Sequence, residues 1–357
     1  MVDFSIYSGK TVLLTGHTGF KGSWMAIWLH ALGARVVGYA LDPYSDKDNF
    51  VLSGIGRKIA VDVRGDLSDV EKLHNVFEQY QPEVVFHLAA QPLVRLSYDC
   101  PVATYQTNVM GTINVMEEVR QCVSTRVAVM ITTDKCYENR EQLWGYRENE
   151  AMGGYDPYSS SKGAAEIAIS SWRRSFMNPS AYADHGKAIA SARAGNVIGG
   201  GDWALDRIIP DCVRALEAGC KIEIRSPRSI RPWQHVLEPV GGYLTLGAKM
   251  LENPTKYCDG WNFGPSLSSI VPVWEIAQSV IKNYGTGELK DMSDPNALHE
   301  AKLLALDITK ARFELGWAPR WDIGQTIEKT VEWYKKYRHE DIYDLCIKQI
   351  NEYEHKG

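Results

Sequence analysis

The chain has 357 residues, of which 45% are hydrophobic and 23% charged, and its 39 basic and 44 acidic side chains give a formal net charge of -5. This composition excludes an intrinsically disordered chain, and without a basic excess we expect neither nucleic acid nor an anionic membrane as a partner. The N-terminal segment MVDFSIYSGK lacks a signal-peptide pattern and no window approaches the roughly 20 apolar residues of a spanning helix, so a cytoplasmic location is expected.

Apolar segments of strand length alternate with amphipathic segments through the first half of the chain. In order they read TVLLTG, WMAIWLHALG, RVVGYAL, DVEKLHNVFEQY, EVVFHLAA, a helical stretch around residues 108 to 120, and RVAVMITT. Another helix is predicted after Pro157, in SSKGAAEIAISSWRRSF, and AIASARAGN reads as a further strand. The alternation predicts an α/β fold, a Rossmann-like doubly wound parallel sheet with helices on both faces.

After Asn196 the sequence becomes irregular, and helices resume near residues 272 to 283 and 322 to 338. A smaller mixed α/β lobe is predicted there, and the terminal YEHKG is expected to fray. The sheet domain is assigned residues 1–195 and about 232–262, and the lobe about 196–231 and 263–357. The seven cysteines are scattered without a CxxC pair, so we expect reduced thiols and no metal site.

A glycine-rich loop joins the first strand directly to the first helix. It consists of Gly16, His17, Thr18, Gly19, Phe20, Lys21 and Gly22. Glycines allow a tight turn and close packing of helix on strand, and the helix start aims backbone N–H groups at a pyrophosphate. The context predicts a dinucleotide site, although a tight turn that binds nothing is the alternative. Lys21 either neutralises phosphate charge or is a solvated loop lysine.

Asp42 lies about 20 residues beyond the glycines, where an acid can accept hydrogen bonds from the adenosine ribose and disfavour a 2′-phosphate. NAD is therefore favoured over NADP. An Asp before a Pro is also a common turn residue, so a turn remains the alternative for Asp42.

Tyr158 and Lys162 are separated by four residues, which places both on one face of the predicted helix. The charge of the lysine would stabilise a tyrosinate and lower the pKa of the phenol, so that Tyr158 could act as a base near neutral pH. Such a pair is common by chance. Here it follows several βα units, a cofactor loop, and the hydroxyls of Thr132 and Thr133 at a strand end.

The spacing of the glycines and the Tyr-Lys pair resemble the extended short-chain dehydrogenases/reductases. The resemblance implies that Tyr158 is the base for a substrate hydroxyl, that Lys162 is its electrostatic partner and a ribose ligand, and that Thr133 bonds the same substrate oxygen. It also implies that Asp66 contacts adenine with Leu67 beside it, whereas a helix-capping pair with Asp69 is the alternative. The further cofactor contacts that it implies are Leu88, Ala89, Ala90 and Thr132.

Asp134 and Lys135 follow Thr133 and add acid-base groups that a plain alcohol oxidation does not need. Once the C4 hydroxyl of a sugar is a ketone, the C5 proton is acidic, and its removal with protonation of O6 expels water. The triplet resembles the Thr-Asp-Glu of nucleotide-sugar 4,6-dehydratases, which implies that Asp134 is the acid. Lys135 replaces the glutamate base and would have to be neutral to take a proton; a surface salt bridge is the alternative.

Five longer stretches resemble the nucleotide-sugar 4,6-dehydratases that act on CDP-glucose. They are GHTGFKGSW, HLAAQPLVRLSY, GYRENEAMGGYDPYS, SARAGNVIGGGDWALDRIIPD and SIRPWQHVLEP. The resemblance implies NAD as cofactor, CDP-glucose as substrate, a homodimer or homotetramer, and a place in O-antigen biosynthesis. The substrate contacts that it implies are Gln91, Asn108, Arg193, Asn196, Arg207, Arg231 and His235. Asn108 could equally be an ordinary polar helix residue, and His235 could merely support the site.

Two other functions share parts of this pattern. A nucleotide-sugar 4-epimerase would keep the glycines, Tyr158 and Lys162 but has no use for an acid-base couple at C5 and C6. A non-catalytic NAD-binding sensor could lose Tyr158 or Lys162, and this chain retains both. The dehydratase is therefore the favoured hypothesis.

Overall fold

The structure is a computed structural model that describes residues 2–293 and 304–356. Within these ranges the strands are β1 (Thr11–Thr15), β2 (Arg35–Ala40), β3 (Val61–Arg64), β4 (Val84–His87), β5 (Val127–Ile131), β6 (Ala188–Arg193), β7 (Val197–Ile198), β8 (Ile222–Ile224), β9 (Ile230–Pro232), β10 (Gln234–His235), β11 (Gly260–Asn262), β12 (Ile270–Pro272) and β13 (Leu289–Asp291). The helices are α1 (Phe20–Ala31), α2 (Asn49–Leu52), α3 (Val70–Tyr80), α4 (Val94–Asp99), α5 (Pro101–Tyr105), α6 (Gly111–Gln121), α7 (Pro157–Ser175), α8 (Tyr182–His185), α9 (Ile208–Glu217), α10 (Leu237–Glu252), α11 (Val273–Tyr284), α12 (Ile323–Lys336) and α13 (Ile342–His355).

In the described part of the chain, seven of these strands form one parallel sheet in the order β11-β6-β5-β4-β1-β2-β3. The strand order reverses between β1 and β4, so the loops after these two strands leave in opposite directions and open a crevice between them. In open α/β sheets this crevice is where ligands bind. The Rossmann-like doubly wound sheet predicted from the alternating pattern is confirmed.

The two faces of the sheet are packed by different helices. Because successive side chains of a strand point to opposite faces, Val12 and Leu14 of β1 join a core shared with α1 and α10, whereas Leu13 joins a core shared with α3 and α6. Strands β1, β2, β4, β5 and β6 are buried on both faces, which explains why they read as nearly continuous apolar runs rather than as alternating patterns.

The second half of the chain adds small sheets and helices around the carboxyl ends of the main strands. Strand β7 pairs with β10, β9 pairs antiparallel with β12, and β8 pairs with β13. Helices α11 and α12 lie where the sequence predicted helices near residues 272 to 283 and 322 to 338. Among the described residues, every helix is too short or too polar to span a lipid bilayer.

The expectation that the terminal YEHKG frays is wrong for its first residues. Helix α13 continues to His355, and the buried Tyr353 donates a hydrogen bond of 2.8 Å to Oε2 of Glu238 in α10. The ring of Tyr353 also packs edge-on against Trp28 of α1, with 5.7 Å between ring centroids. These distant partners hold the chain end in place.

Candidate active site

The glycine loop lies at the crevice where the strand order reverses. Gly16 has φ +74°, and a Cβ on it would lie 2.7 Å from the backbone nitrogen of Ala89 in the loop after β4. A Cβ on Gly22 would lie 2.0 Å from the carbonyl oxygen of Gly16, so the first turn of α1 packs directly on the loop. Gly19 is the N-cap of α1 and provides no side-chain cap. The backbone N–H groups at the start of α1 are therefore not capped by a side chain at Gly19, and their arrangement fits a pyrophosphate.

His17 turns away from the loop into the sheet. Its Nε2 lies 2.8 Å from Oδ1 of Asp62, and its ring packs on Gly38, where a Cβ would lie 2.4 Å from the imidazole. Thr18 donates from its hydroxyl to the carbonyl of Leu41, 2.9 Å away. These two side chains therefore fix the loop against β2 and β3 rather than reach across the crevice.

The two predicted nucleoside acids differ in their surroundings. The side chain of Asp42 is 86% exposed, and its carboxylate lies 3.4 Å from Nε of Arg64, which also bonds Asp62. The carboxylate of Asp66 accepts hydrogen bonds from the backbone and the hydroxyl of Ser68, so it closes a turn. Asp69 alone caps α3, and the capping pair considered for Asp66 is not formed.

The predicted catalytic pair lies on the first turns of α7, with Pro157 in the first turn and Asp156 as its N-cap. Tyr158 and Lys162 are both buried, and Nζ of Lys162 donates to the carbonyl of Ile131 at the end of β5, 3.4 Å away. Burial lowers the pKa of Lys162 to about 8, against the opposing charge of Glu166. The helix therefore places both groups at the carboxyl end of β5.

The lowered phenol pKa expected for Tyr158 is not found. Burial raises the pKa of Tyr158 to about 12, although its hydrogen bond with Thr133 and the charge of Arg207 oppose this effect. The sequence predicted that Lys162 would lower this pKa, whereas in the structure burial has the largest effect and the cation that opposes it is Arg207. The side chains of Tyr158, on α7, and Thr133, after β5, are hydrogen-bonded to each other.

Asp134 is the centre of a hydrogen-bonded cluster in the turn after β5. Thr133 donates from its hydroxyl to Oδ1 of Asp134 at 2.9 Å, and Asn196 donates from Nδ2 to Oδ2 at 3.0 Å. Nζ of Lys135 lies 3.6 Å from Oδ1, with a third of its side chain exposed. A Cβ on Gly195 would lie 2.0 Å from the Asp134 carboxyl carbon. The carboxyl is fully buried and held from two sides.

Lys21 and Arg207 approach the same cluster from the loop and from the second half of the chain. Burial and the charges of Lys162 and Arg207 lower the pKa of Lys21 to about 7, and its Nζ lies 3.5 Å from the hydroxyl of Tyr243. Arg207 is paired with Asp202 at 2.7 Å. The alternative of a solvated loop lysine is wrong for Lys21, because Tyr243 of α10 covers it.

Other predicted substrate residues are used within the protein. The guanidinium of Arg193 is buried and bonds Glu166 and Tyr137, so it faces the interior behind α7 and not the Asp134 cluster. The ring of His235 is buried between Trp24 and Trp321, at 5.8 and 4.8 Å, and burial lowers its pKa to about 3. Distant aromatic residues create this environment for His235, which its local sequence did not indicate.

Asn108 and Gln91 connect the loop after β4 to α7. Nδ2 of Asn108 donates to the hydroxyl of Ser161 at 2.9 Å, and its Oδ1 accepts from the backbone of Gln91. Gln91 itself bonds Leu93 and Thr104. Asn108 lies in a π-helical turn, Gln106–Met110, just before α6. Its contacts align α7 with the crevice.

The further predicted contacts lie at the ends of the central strands or on the second half. Leu88, Ala89 and Ala90 form the loop that the glycines touch, Leu67 is buried after β3, Thr132 follows β5, and Arg231 lies on β9. Sequence reasoning missed Glu166, which accepts from Thr132, and Tyr243, which covers Lys21. The spacing of Glu166 from Lys162, four residues on one helix face, was an available signal.

The parallel sheet, the glycine loop and the buried Tyr-Lys pair define an enzyme of the extended short-chain dehydrogenase/reductase class. The family model described as GDP-mannose 4,6 dehydratase matches residues 13–330. A CDP-glucose 4,6-dehydratase of Salmonella typhimurium is 48% identical over 354 residues, covering 99% of this chain and 98% of that enzyme. The chain belongs to the GDP-mannose 4,6 dehydratase family.

Solved structures with the same fold include enzymes of two kinds. The dTDP-glucose 4,6-dehydratase of Bacillus anthracis in complex with NAD has a TM-score of 0.76 at 19% identity, with 95% of this chain and 100% of that chain covered. The UDP-glucose 4-epimerase of Thermotoga maritima with UDP-glucose has a TM-score of 0.77 at 22% identity, with 92% and 100% covered. At these identities the likeness supports the fold and does not distinguish a dehydratase from an epimerase.

Proposed function

We propose that this chain is an NAD-dependent CDP-glucose 4,6-dehydratase, which converts CDP-glucose to CDP-4-keto-6-deoxyglucose and water. The observation that carries the proposal is the buried carboxyl of Asp134, hydrogen-bonded to Thr133 beside Tyr158 and Lys162. An epimerase needs no such acid next to its tyrosine. The 48% identity over nearly the full length of a CDP-glucose 4,6-dehydratase supports the choice of sugar and nucleotide.

The residues of the crevice fit NAD. The backbone around Gly16, Gly19 and Gly22 would hold the pyrophosphate, because any side chain at Gly22 would collide with the carbonyl of Gly16. Asp42 would bind the adenosine ribose, and the guanidinium of Arg64 lies between two carboxylates, which leaves it poorly suited to a 2′-phosphate. When bound, NAD accepts the hydride from C4 of the sugar and returns it to C6 within one turnover.

The protein groups would then act in a fixed order. Tyr158 as phenolate takes the proton of the C4 hydroxyl while Thr133 bonds the same oxygen, and the charge of Lys162 stabilises the phenolate. The C4–H bond breaks and C4 becomes a ketone, which acidifies C5. Lys135, in its neutral form, is the candidate that removes the C5 proton, while Asp134 protonates O6. The C6–O bond breaks, and water leaves. Lys135, which became an ammonium on removing the C5 proton, returns a proton to C5, and the hydride that bound NAD would supply at C6 completes the product.

An assay of the products of CDP-glucose tests the function. We expect CDP-4-keto-6-deoxyglucose without net reduction of NAD, and slower conversion of dTDP-, UDP- and GDP-glucose run in parallel. Recovery of a C4 epimer, or of unchanged CDP-glucose, would contradict the proposal. A preference for another nucleotide would keep the dehydratase and correct the nucleotide.

Substitutions in the acid-base pair test the division of roles. Asp134→Asn and Lys135→Ala should still oxidise C4, seen as reduced cofactor at 340 nm after substrate is added, and should lower product formation by roughly 100-fold or more, because each lacks a proton-transfer group. Lys135→Arg is the matched variant, since it keeps the charge but cannot act as a base. An active Arg variant would make Lys135 an electrostatic aid. Loss of C4 oxidation in all three would contradict the assignment.

We also propose how the chain divides into domains, how it assembles and where, and in which pathway it acts. Residues 1–195 and about 232–262 would form the NAD-binding domain, and about 196–231 and 263–357 the nucleotide-sugar lobe, with Asn196, Arg207 and Arg231 as its substrate contacts. A cytoplasmic homodimer or homotetramer is proposed, supported by exposed apolar side chains on α5 and α7, where Val102 is 82% and Ile167 63% exposed. A place in O-antigen biosynthesis would follow from the product.

A further inference from the structure

A buried ion pair lies directly behind the catalytic helix. Glu166 and Arg193 are each 4% exposed, and Nη2 of Arg193 lies 2.8 Å from Oε2 of Glu166. The same oxygen accepts from the hydroxyl of Ser191 at 2.7 Å, and Oε1 accepts from the hydroxyl of Thr132 at 2.5 Å. Both carboxylate oxygens are therefore satisfied, as a buried charge requires.

The pair is connected to the catalytic residues through two elements. Glu166 lies one turn after Lys162 on α7, so the two side chains share a face of the helix. Lys162 donates to the carbonyl of Ile131, and Glu166 accepts from the hydroxyl of Thr132, the next residue. Helix α7 is therefore hydrogen-bonded to the two residues before Thr133. The ammonium of Lys162 bonds the first, and the carboxylate of Glu166 bonds the second.

The carboxylate of Glu166 also opposes the effect of burial on Lys162. Burial lowers the pKa of Lys162 to about 8, and the Glu166 charge is the largest influence in the other direction. Burial acts to raise the pKa of Glu166 itself, but the Arg193 guanidinium and the hydrogen bonds outweigh it and hold that pKa low. Glu166 is therefore ionised over the pH range in which Lys162 titrates, and its carboxylate is a counter-charge for the ammonium.

After Glu166, the other group that acts to raise the pKa of Lys162 is Cys136, with a smaller effect. That effect requires a thiolate, and burial raises the pKa of the Cys136 thiol well above its ordinary value, so the thiol stays neutral. His87 of β4 has its pKa lowered to about 3 by burial, so it is neutral too. Lys21 of the glycine loop adds positive charge when protonated. On α7 itself, Tyr158 has its pKa raised to about 12.

The groups that face Glu166 or its partner Arg193 come from β6 and from the segment between β5 and α7. Arg193 of β6 is the cation in contact with it, and the guanidinium also bonds the hydroxyl of Tyr137 at 2.6 Å and the carbonyl of Glu148. Burial raises the pKa of Tyr137 well above its ordinary value and also raises that of Glu148. The Glu166 charge is thus shared between Arg193 behind it and Lys162 beside it.

We propose that Glu166 is a positioning residue for catalysis, which keeps Lys162 in its ammonium form and fixes the end of β5 that carries Thr133. The role of the ammonium rests on the proposed function, in which Lys162 stabilises the phenolate of Tyr158. Without the carboxylate, Lys162 loses its proton at lower pH and the phenolate loses its support. Thr132 also loses its acceptor, so Thr133 is less well held.

The test removes both charges at once. The variant Glu166→Gln/Arg193→Met leaves no uncompensated guanidinium, and replacing a buried ion pair by uncharged groups of similar volume is often tolerated. We expect the pKa of Lys162, followed by NMR of 13Cε- and 15Nζ-labelled lysine with Lys162→Met for assignment, to fall by about one pH unit, the low end of the effect of an adjacent opposite charge. The alkaline limb of kcat/KM for CDP-glucose should move to lower pH by the same amount.

Ser191→Ala is the control, since it removes a hydrogen bond to the same oxygen and keeps the charge; its Lys162 pKa should match the wild type. Glu166→Asp, which withdraws the carboxylate by one methylene, should give a smaller displacement in the same direction and decides the matter if the double variant does not fold. An unchanged Lys162 pKa in the folded variants overturns the inference. A wild type that does not convert CDP-glucose refutes the proposed function instead, because the NMR measurement needs no substrate.

Discussion

At the scale of the residue, Lys21 shows how strongly distant packing decides chemistry. The loop sequence left open whether this lysine meets phosphate or solvent. The structure buries its ammonium under Tyr243, in the same cluster as Lys162 and Arg207, and lowers its pKa to about 7. Tyr243 lies 222 residues further along the chain, so no local pattern could have predicted this burial.

In this environment the ammonium of Lys21 lowers the free energy of unfolding, by an amount that depends on pH. Its folded pKa is about 7 against an unfolded value of 10.5, so the unfolded chain binds more protons between these values and stability rises with pH across them. The cost is fully present below pH 7. We expect Lys21→Met to raise the free energy of unfolding at pH 7 by roughly 2 to 4 kcal/mol, since a tenfold change in acidity corresponds to about 1.4 kcal/mol.

Urea unfolding at pH 7 and pH 9 measures this effect, and the gain from Lys21→Met should shrink at the higher pH. Lys72→Met, on the exposed face of α3, is the control and should change stability little at either pH. Equal gains at both pH values would show that packing, and not ionisation, is responsible.

At the scale of the element, the short connection between β6 and β7 shapes the site. Asn196 adopts φ +50°, which turns its amide toward Asp134, and Gly195 leaves the space that the carboxylate occupies. Only a residue without a Cβ fits there. The connection therefore helps to hold the candidate acid beside Thr133.

Gly195→Ala tests this arrangement. The new methyl would lie 2.0 Å from the carboxyl carbon of Asp134 and would displace it from Thr133 and Asn196. We expect product formation to fall by roughly 100-fold or more, as when a catalytic acid is lost, while cofactor reduction on adding CDP-glucose persists. Gly264→Ala is the matched control, because the nearest atoms to its Cβ lie at 3.4 Å. A Gly195→Ala enzyme with wild-type product formation would exclude the role.

The elements differ in how much of them the sequence could predict. Strands β1, β2, β4, β5 and β6 and helices α1, α3 and α7 were predicted from local apolar patterns. These strands are almost fully buried, and the helices pack apolar side chains against the sheet. Helix α13 was missed, and its end was expected to fray, because its order depends on Glu238 and Trp28 far away in sequence. At the site, Thr133, Asp134, Tyr158 and Lys162 were predicted from motifs, whereas the interior partners of Arg193 and His235 come from tertiary packing.

At the scale of the whole molecule, one buried carboxyl joins the middle of the chain to its end. Oε1 of Glu238 accepts hydrogen bonds from the backbone of Arg320 and Trp321, and Oε2 accepts from Tyr353. Trp28 of α1 donates to Glu354 next to it, 3.0 Å away. The first helix, α10 and the C-terminal helix therefore meet at this carboxyl.

Burial raises the pKa of Glu238 to about 7, above its unfolded value of 4.5. The folded state then binds more protons between these values, so its stability contribution is fully present below pH 4.5 and is lost as pH rises through 7. Glu238→Gln keeps the accepting oxygen and cannot ionise. We expect it to raise the free energy of unfolding at pH 8 by roughly 1 to 3 kcal/mol and by less at pH 5.

Urea titrations at the two pH values provide the measurement. Glu252→Gln, at the exposed end of the same helix, is the control and should stay within about 0.5 kcal/mol of the wild type. Destabilisation by Glu238→Gln at pH 8 would mean that the ionised carboxylate forms stronger hydrogen bonds than its burial costs.

The order of the strands has a consequence for synthesis on the ribosome. The edge strand β11 begins at Gly260, long after β6 ends at Arg193, and α10, which covers Val127, Val129 and Ile131 of β5, lies between them. A nascent chain can therefore form the glycine loop and the Tyr-Lys pair while one apolar face of its sheet is still uncovered. Domains that emerge in this state are prone to aggregate. A truncated chain ending near residue 195 would keep the glycine loop and the Tyr-Lys pair. It would lose α10, which covers this face of the sheet.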